Sequence, residues 1–164
     1  MDAILVLLGT NDFNEGIPVG EWYTEKKEQV MAARGKTKKL ETRIKRTLVM
    51  DNRTYKGRIN IGISRLKSLF PDKQIILLTP LHRSFADFGE KNVQPDESYQ
   101  NRCGEYVDAY VLAVKEAANV WGVPVIDFNA VTGMNPMVEG QLEYFYVSTA
   151  CIRVRKGRNA WPVH

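Results

Sequence analysis

Three short apolar runs, Ala3–Leu8, Gln74–Leu78 and Val123–Phe128, constrain this chain more than any other feature. Each is continuous. A strand with one wet face alternates apolar and polar residues, whereas an unbroken run suits a strand covered on both faces, as in a parallel sheet. Helical patterns separate the runs. Ile59, Ile63, Leu66 and Phe70 fall on one helix face that Pro71 stops. Tyr106, Tyr110, Val114, Ala117 and Trp121 form a second face, with Gly122 as its C-terminal stop. The order strand, helix, strand, helix, strand predicts an α/β fold with right-handed crossovers. Three strands are few for such a sheet, where about five or six are usual. An edge as apolar as Ala3–Leu8 is also a template for pairing with another chain. The expectation is a sheet lacking its first strands and prone to self-association through that edge.

Other totals narrow the function. At 164 residues the chain suits one domain, and its 44% hydrophobic and 26% charged residues are ordinary for a globular protein. No run reaches the ~18 to 20 apolar residues of a membrane span, so no membrane partner is expected. Residues 1–8 are too short for a signal peptide and lack a basic leader. The compartment stays open: the chain is cytoplasmic as written unless a leader lies upstream. Cys103 and Cys151 offer no metal spacing, and His82 and His164 no His-rich site, so neither metal nor cofactor is expected.

The net charge of +4 is concentrated. Residues 21–56 hold 11 Lys and Arg against 5 Asp and Glu, a local +6, while the remainder is slightly acidic. Within that segment Gly35-Lys36-Thr37 ends like a phosphate loop, but the required first glycine is Val30 and no strand precedes it. Nucleic-acid binding is disfavoured because Trp22 and Tyr23 lie outside the basic run and give it no interleaved stacking platform. The plainer reading makes residues 13–56 a solvated, lid-like insertion over a substrate crevice. Residues 83–100 read as a polar loop.

The ends of the three runs carry the chemistry. Gly9-Thr10-Asn11-Asp12, followed by Gly16, stands at the first; Thr79-Pro80-Leu81-His82-Arg83 at the second; Asp127-Phe128-Asn129-Ala130-Val131-Thr132-Gly133 at the third. Open α/β sheets present functional residues at the carboxyl ends of their strands. In this order the blocks resemble the SGNH, or GDSL, hydrolase superfamily over roughly residues 3–146. The resemblance implies a three-layer αβα, flavodoxin-like, mostly parallel sheet, with G-x-N-D after its third strand. It also implies serine esterase or lipase chemistry on an ester substrate, with acylated carbohydrate one candidate. Asn11 would be an oxyanion donor, a kind of group typically worth ~3 kcal/mol to the transition state. Gly9, Thr10, Asp12 and His82 would adjoin the substrate, Gly9 by allowing close backbone approach and Asp12 by bracing the turn. Two plainer readings stand beside these. Asn11 and Asp12 suit caps of the following segment, and His82 suits a loop histidine bonded locally.

The remaining pieces of that family are absent. No G-D-S block supplies a nucleophile, and Ser64, Ser68, Ser84, Ser98 and Ser148 lie in no nucleophile motif. No D-x-x-H occurs. The tail, Val147–His164, has four basic residues, no acid and no regular period. A shifted reading frame permits a D-x-x-H-P block there, so the tail reads as out-of-frame translation; His164, its last residue, would fray. A serine hydroxyl is a weak nucleophile without its base, so the chain by itself is expected to be inactive. The competing classes are a non-catalytic α/β ligand-binding module using the crevice beside Asn11 and His82, and a basic nucleic-acid-interaction module.

Overall fold

The computed structural model describes residues 3–33, 35 and 37–145, and the expected out-of-frame tail lies outside them. The fold is α/β with a parallel three-stranded sheet, as the apolar runs predict. Strand β1 (Ala3–Leu7) pairs with β4 (Gln74–Leu78), and β4 with β7 (Val125–Ile126), so β1 is an edge strand. Between them lie α1 (Thr10–Glu15), β2 (Tyr23–Ala33), β3 (Lys38–Leu48) and α2 (Tyr55–Leu69) on one side of β4 in sequence. On the other are β5 (Ala86–Asp87), β6 (Val93–Gln94) and α3 (Val107–Trp121). The chain continues through α4 (Phe128–Val131) and a 3-10 turn at Glu139–Tyr144.

Both crossovers step the same way across the sheet, from β1 to β4 to β7. Crossovers of one hand that step one way place their helices on one face. Accordingly Ile59 and Ile63 of α2 and Tyr110, Val114 and Ala117 of α3 share a core with Ile75 and Leu77 of β4. The pleat sends the alternate residues to the other face. There Leu5, Leu7 and Ile126 are 61%, 53% and 40% exposed. The continuity of the first run implies cover on both faces; in the fold Leu5 and Leu7 lie open because both long helices pack on the opposite side. Of the two helical layers expected, the described residues supply one.

The helix boundaries follow their caps. Thr54 accepts the Gly57 N–H through its side chain at the start of α2, and Gly122 ends α3 in the left-handed conformation. Tyr106 precedes α3 rather than joining its buried face, and is 47% exposed. The third strand is also shorter than its apolar run: Val123 is buried in the core and Asp127 already caps α4.

Residues 13–56, which the sequence marks as a solvated insertion, are largely regular structure. They contain the end of α1 and a long antiparallel hairpin, β2–β3. Its root is clamped by fully buried Asn60, whose amide donates to the carbonyls of Trp22 and Val49 at 3.3 and 2.9 Å and whose oxygen accepts from Trp121 Nε1 at 2.8 Å. Trp22 Nε1 donates to Glu116 at 2.7 Å, and Lys56 pairs with the same carboxylate at 3.0 Å. Burial opposes the charge on Glu116, but these two bonds hold its carboxyl below the usual range. Beyond the root the hairpin strands are almost wholly exposed.

Candidate active site

The turn after β1 is fixed by one glycine. Gly9 has φ 108°, and a Cβ there would lie 2.7 Å from Tyr55 Oη and 2.8 Å from Pro80 Cγ. Any side chain would be strained and would collide with both the start of α2 and the end of β4. This close approach brings the carboxyl ends of β1 and β4 together. Tyr55 is 1% exposed, its ring packs on Tyr110 at 5.0 Å, and its hydroxyl has no hydrogen-bond partner among the described residues. Burial, with Asp12 and Tyr110 nearby, pushes its pKa upward, so it stays a neutral phenol.

Gly9 is also the N-cap of α1, and no side chain caps that helix. Asn11 and Asp12 therefore do not play the capping role their residue types allow. Asn11 lies in the first turn, exposed, and no hydrogen bond holds its carboxamide among the described residues. Thr10 opens the helix and is half-buried. Asp12 accepts from Arg58 Nη1 at 2.9 Å, while Arg58 Nε donates to the Asn52 carbonyl at 2.8 Å. That bridge ties α1 to α2. Gly16, the last glycine of the motif, closes α1 at φ 66°.

At the end of β4, buried Thr79 links outward to β7. Its hydroxyl donates to Asp127 Oδ1 at 3.0 Å and accepts the Asn129 N–H at 3.0 Å. Asp127 also takes Lys115 Nζ at 2.7 Å. Burial raises the Asp127 pKa, but Lys115, Thr79 and the Ala130 N–H outweigh it and hold the carboxyl below the usual range.

His82 follows two residues after Pro80. Its Nδ1 lies 2.7 Å from Glu97 Oε1, and the other Glu97 oxygen accepts the Arg83 N–H at 2.9 Å. Glu97 is 6% exposed. The histidine is thus oriented by a buried carboxylate. No sequence signal marks this partner, because Glu97 sits in a polar loop with no motif around it. None of the described serines bonds to His82: Ser68 donates to the Ser64 carbonyl, Ser84 to that of Phe85, and Ser98 to Asp96.

Arg83 was also missed. Its guanidinium lies 4.9 Å over the Phe13 ring and donates to Asn14 and, at 3.0 Å, to Gln94. It borders a cavity of about 270 Å³ behind α1, with Tyr99 and Asn101 on its wall. A second, apolar groove of about 140 Å³ runs between Val6 and Leu8 of the β1 segment and Ile59 and Ile63 of α2. Among the described residues no cluster of His, Cys, Asp or Glu could hold a metal ion.

The chain matches no protein family and no curated protein. Solved structures do match its fold. One is 25% identical with a TM-score of 0.62, covering 88% of this chain and 53% of its own. A possible lipase from Chitinophaga pinensis DSM 2588 is 24% identical with a TM-score of 0.58, covering 79% and 42%. A protein from Lactobacillus plantarum is 20% identical with a TM-score of 0.64, covering 93% and 59%. The chain thus spans about half the length of the structures it resembles.

Proposed function

We propose that this chain carries part of an SGNH-type ester hydrolase site, one directed at acyl esters such as those of carbohydrates. The observation behind this reading is the Asn11 carboxamide: exposed, free of hydrogen bonds among the described residues, and carried on the first turn of α1 just past the end of β1. A carboxamide that no other group engages can donate to a developing oxyanion without first breaking a bond. His82 stands at the end of the adjacent strand. With Nδ1 turned to Glu97, Nε2 is the nitrogen left to exchange a proton. One structural neighbour is described as a possible lipase, which supports a hydrolase reading at that coarse level.

This reading supplies a donor and an oriented imidazole, and none of the described serines bonds to that imidazole. The chain alone is therefore inactive toward short acyl nitrophenyl esters, and turnover well above the buffer rate would show that this assignment of parts is wrong. Asn11 is tested directly by titrating a methylphosphonate monoester, a tetrahedral anion, while following side-chain amide NMR signals. The Asn11 NH₂ pair shifts on addition, and N11A weakens binding by about tenfold or more, as loss of a hydrogen bond to a charged group predicts. Shifts elsewhere that leave Asn11 unmoved would remove it from the site.

A further inference from the structure

The β2–β3 hairpin presents two unlike faces. Its register pairs Met31 with Leu40, Lys27 with Ile44 and Ala33 with Lys38, and the pleat puts all six on one face. The other face carries Lys26 with Lys45, Glu28 with Arg43 and Val30 with Glu41. The hairpin's ion pairs are confined to that second face: Lys45 to Glu28 at 3.2 Å, Lys26 to Glu28 at 3.6 Å and Arg43 to Glu41 at 2.7 Å. On the first face Met31, Leu40 and Ile44 are 57%, 63% and 65% exposed. Lys27 and Lys38 beside them make no ion pair among the described residues. From Tyr23 to Leu48 the hairpin has nine Lys and Arg against three Glu, a net +6, of which this face holds Lys27, Lys38 and Arg46 against Glu25, a net +2.

A lone two-stranded ribbon is marginal in water, and clustered exposed apolar side chains mark a surface that binds something. Whatever covers this face must be both apolar and negatively charged. A second copy of the arm brings the same +6, and like charge opposes that pairing. A nucleic acid answers the charge but not the apolar row. The arm's one aromatic ring, Tyr23, is at the root, and the Arg46 guanidinium already lies 4.6 Å over it. An anionic lipid surface answers both: the acyl boundary takes Met31, Leu40 and Ile44, and the headgroups take Lys27 and Lys38 on their flexible stems.

We propose that the β2–β3 arm docks this protein on anionic phospholipid bilayers, lying on the surface rather than crossing it. No helix among the described residues is long and apolar enough to span a membrane, and an arm of this kind needs none. The absence of a long apolar run thus bears only on spanning. The proposal is independent of the hydrolase reading.

The test is co-sedimentation of the full chain with phosphatidylcholine vesicles, with and without phosphatidylglycerol, at low and high salt. Binding appears only with phosphatidylglycerol and weakens as salt rises. K27Q and K38Q each weaken it about fivefold, the loss expected for one cation near a charged surface. The triple variant M31S/L40S/I44S, whose far-ultraviolet circular dichroism matches wild type, weakens it by about tenfold or more. Four outcomes overturn the proposal: no binding to either vesicle, equal binding to both, a triple variant that binds like wild type, or displacement of vesicles by an oligonucleotide at lower concentration.

Discussion

His82 Nδ1 and Glu97 Oε1 stand 2.7 Å apart, and the second Glu97 oxygen holds the backbone N–H of the very next residue, Arg83. One buried carboxylate thus orients a side chain and pins a loop. Removing it leaves two donors unmatched. E97A is expected to cost about 2–3 kcal/mol in denaturant unfolding, and E97Q less, because the amide oxygen still accepts one bond. Equal stability of wild type and E97A would mean the pair is not formed in solution.

Gly9 allows no side chain. G9A should lower stability by about 2–4 kcal/mol, from a strained φ and from contact with Tyr55 Oη and Pro80 Cγ. Y55F removes only a buried hydroxyl without a described partner, so it should be neutral or slightly stabilising. Combining the two should recover part of the G9A loss, since one of the two close contacts disappears. Thermal melts of the four proteins complete the cycle.

Asn11 carries no structural bond among the described residues, so N11A should change stability by no more than about 0.5 kcal/mol while weakening phosphonate binding about tenfold or more. A large loss of stability would assign the residue to the scaffold.

Asp127 sets an acid limit. Its folded pKa is depressed, so its contribution to stability is present above the unfolded carboxylate pKa and is lost as pH falls through the folded value. K115A removes the cation at 2.7 Å, letting the Asp127 pKa rise toward its ordinary range. The acid-unfolding midpoint should then move to higher pH, and NMR titration of the Asp127 carboxyl should move the same way.

The free edge and open face of β1 predict self-association. Size-exclusion chromatography should show wild type as a concentration-dependent oligomer, and L5K/L7K should shift it toward monomer by placing charge on the exposed face. A stable wild-type monomer at all concentrations would count against an uncovered sheet.

The sequence by itself determined the fold class. Apolar runs such as Gln74–Leu78, and the helical spacing of Ile59 and Ile63 or Tyr110, Val114 and Ala117, are local signals of burial. Pro71 and Gly122 punctuate them through backbone geometry that needs no partner. The hairpin escaped notice because neither of its faces is buried, so no two-residue apolar rhythm marks it; its pairing is visible only once Asn60 clamps Trp22 and Val49. The candidate site divides in the same way. Asn11 could be picked out because it belongs to a contiguous block at a strand end. Glu97 could not, because its value lies in a contact with His82 across fifteen residues of loop, and only the folded chain brings those two groups together. Which face of the sheet stays open was likewise decided in three dimensions, by the direction in which both crossovers run.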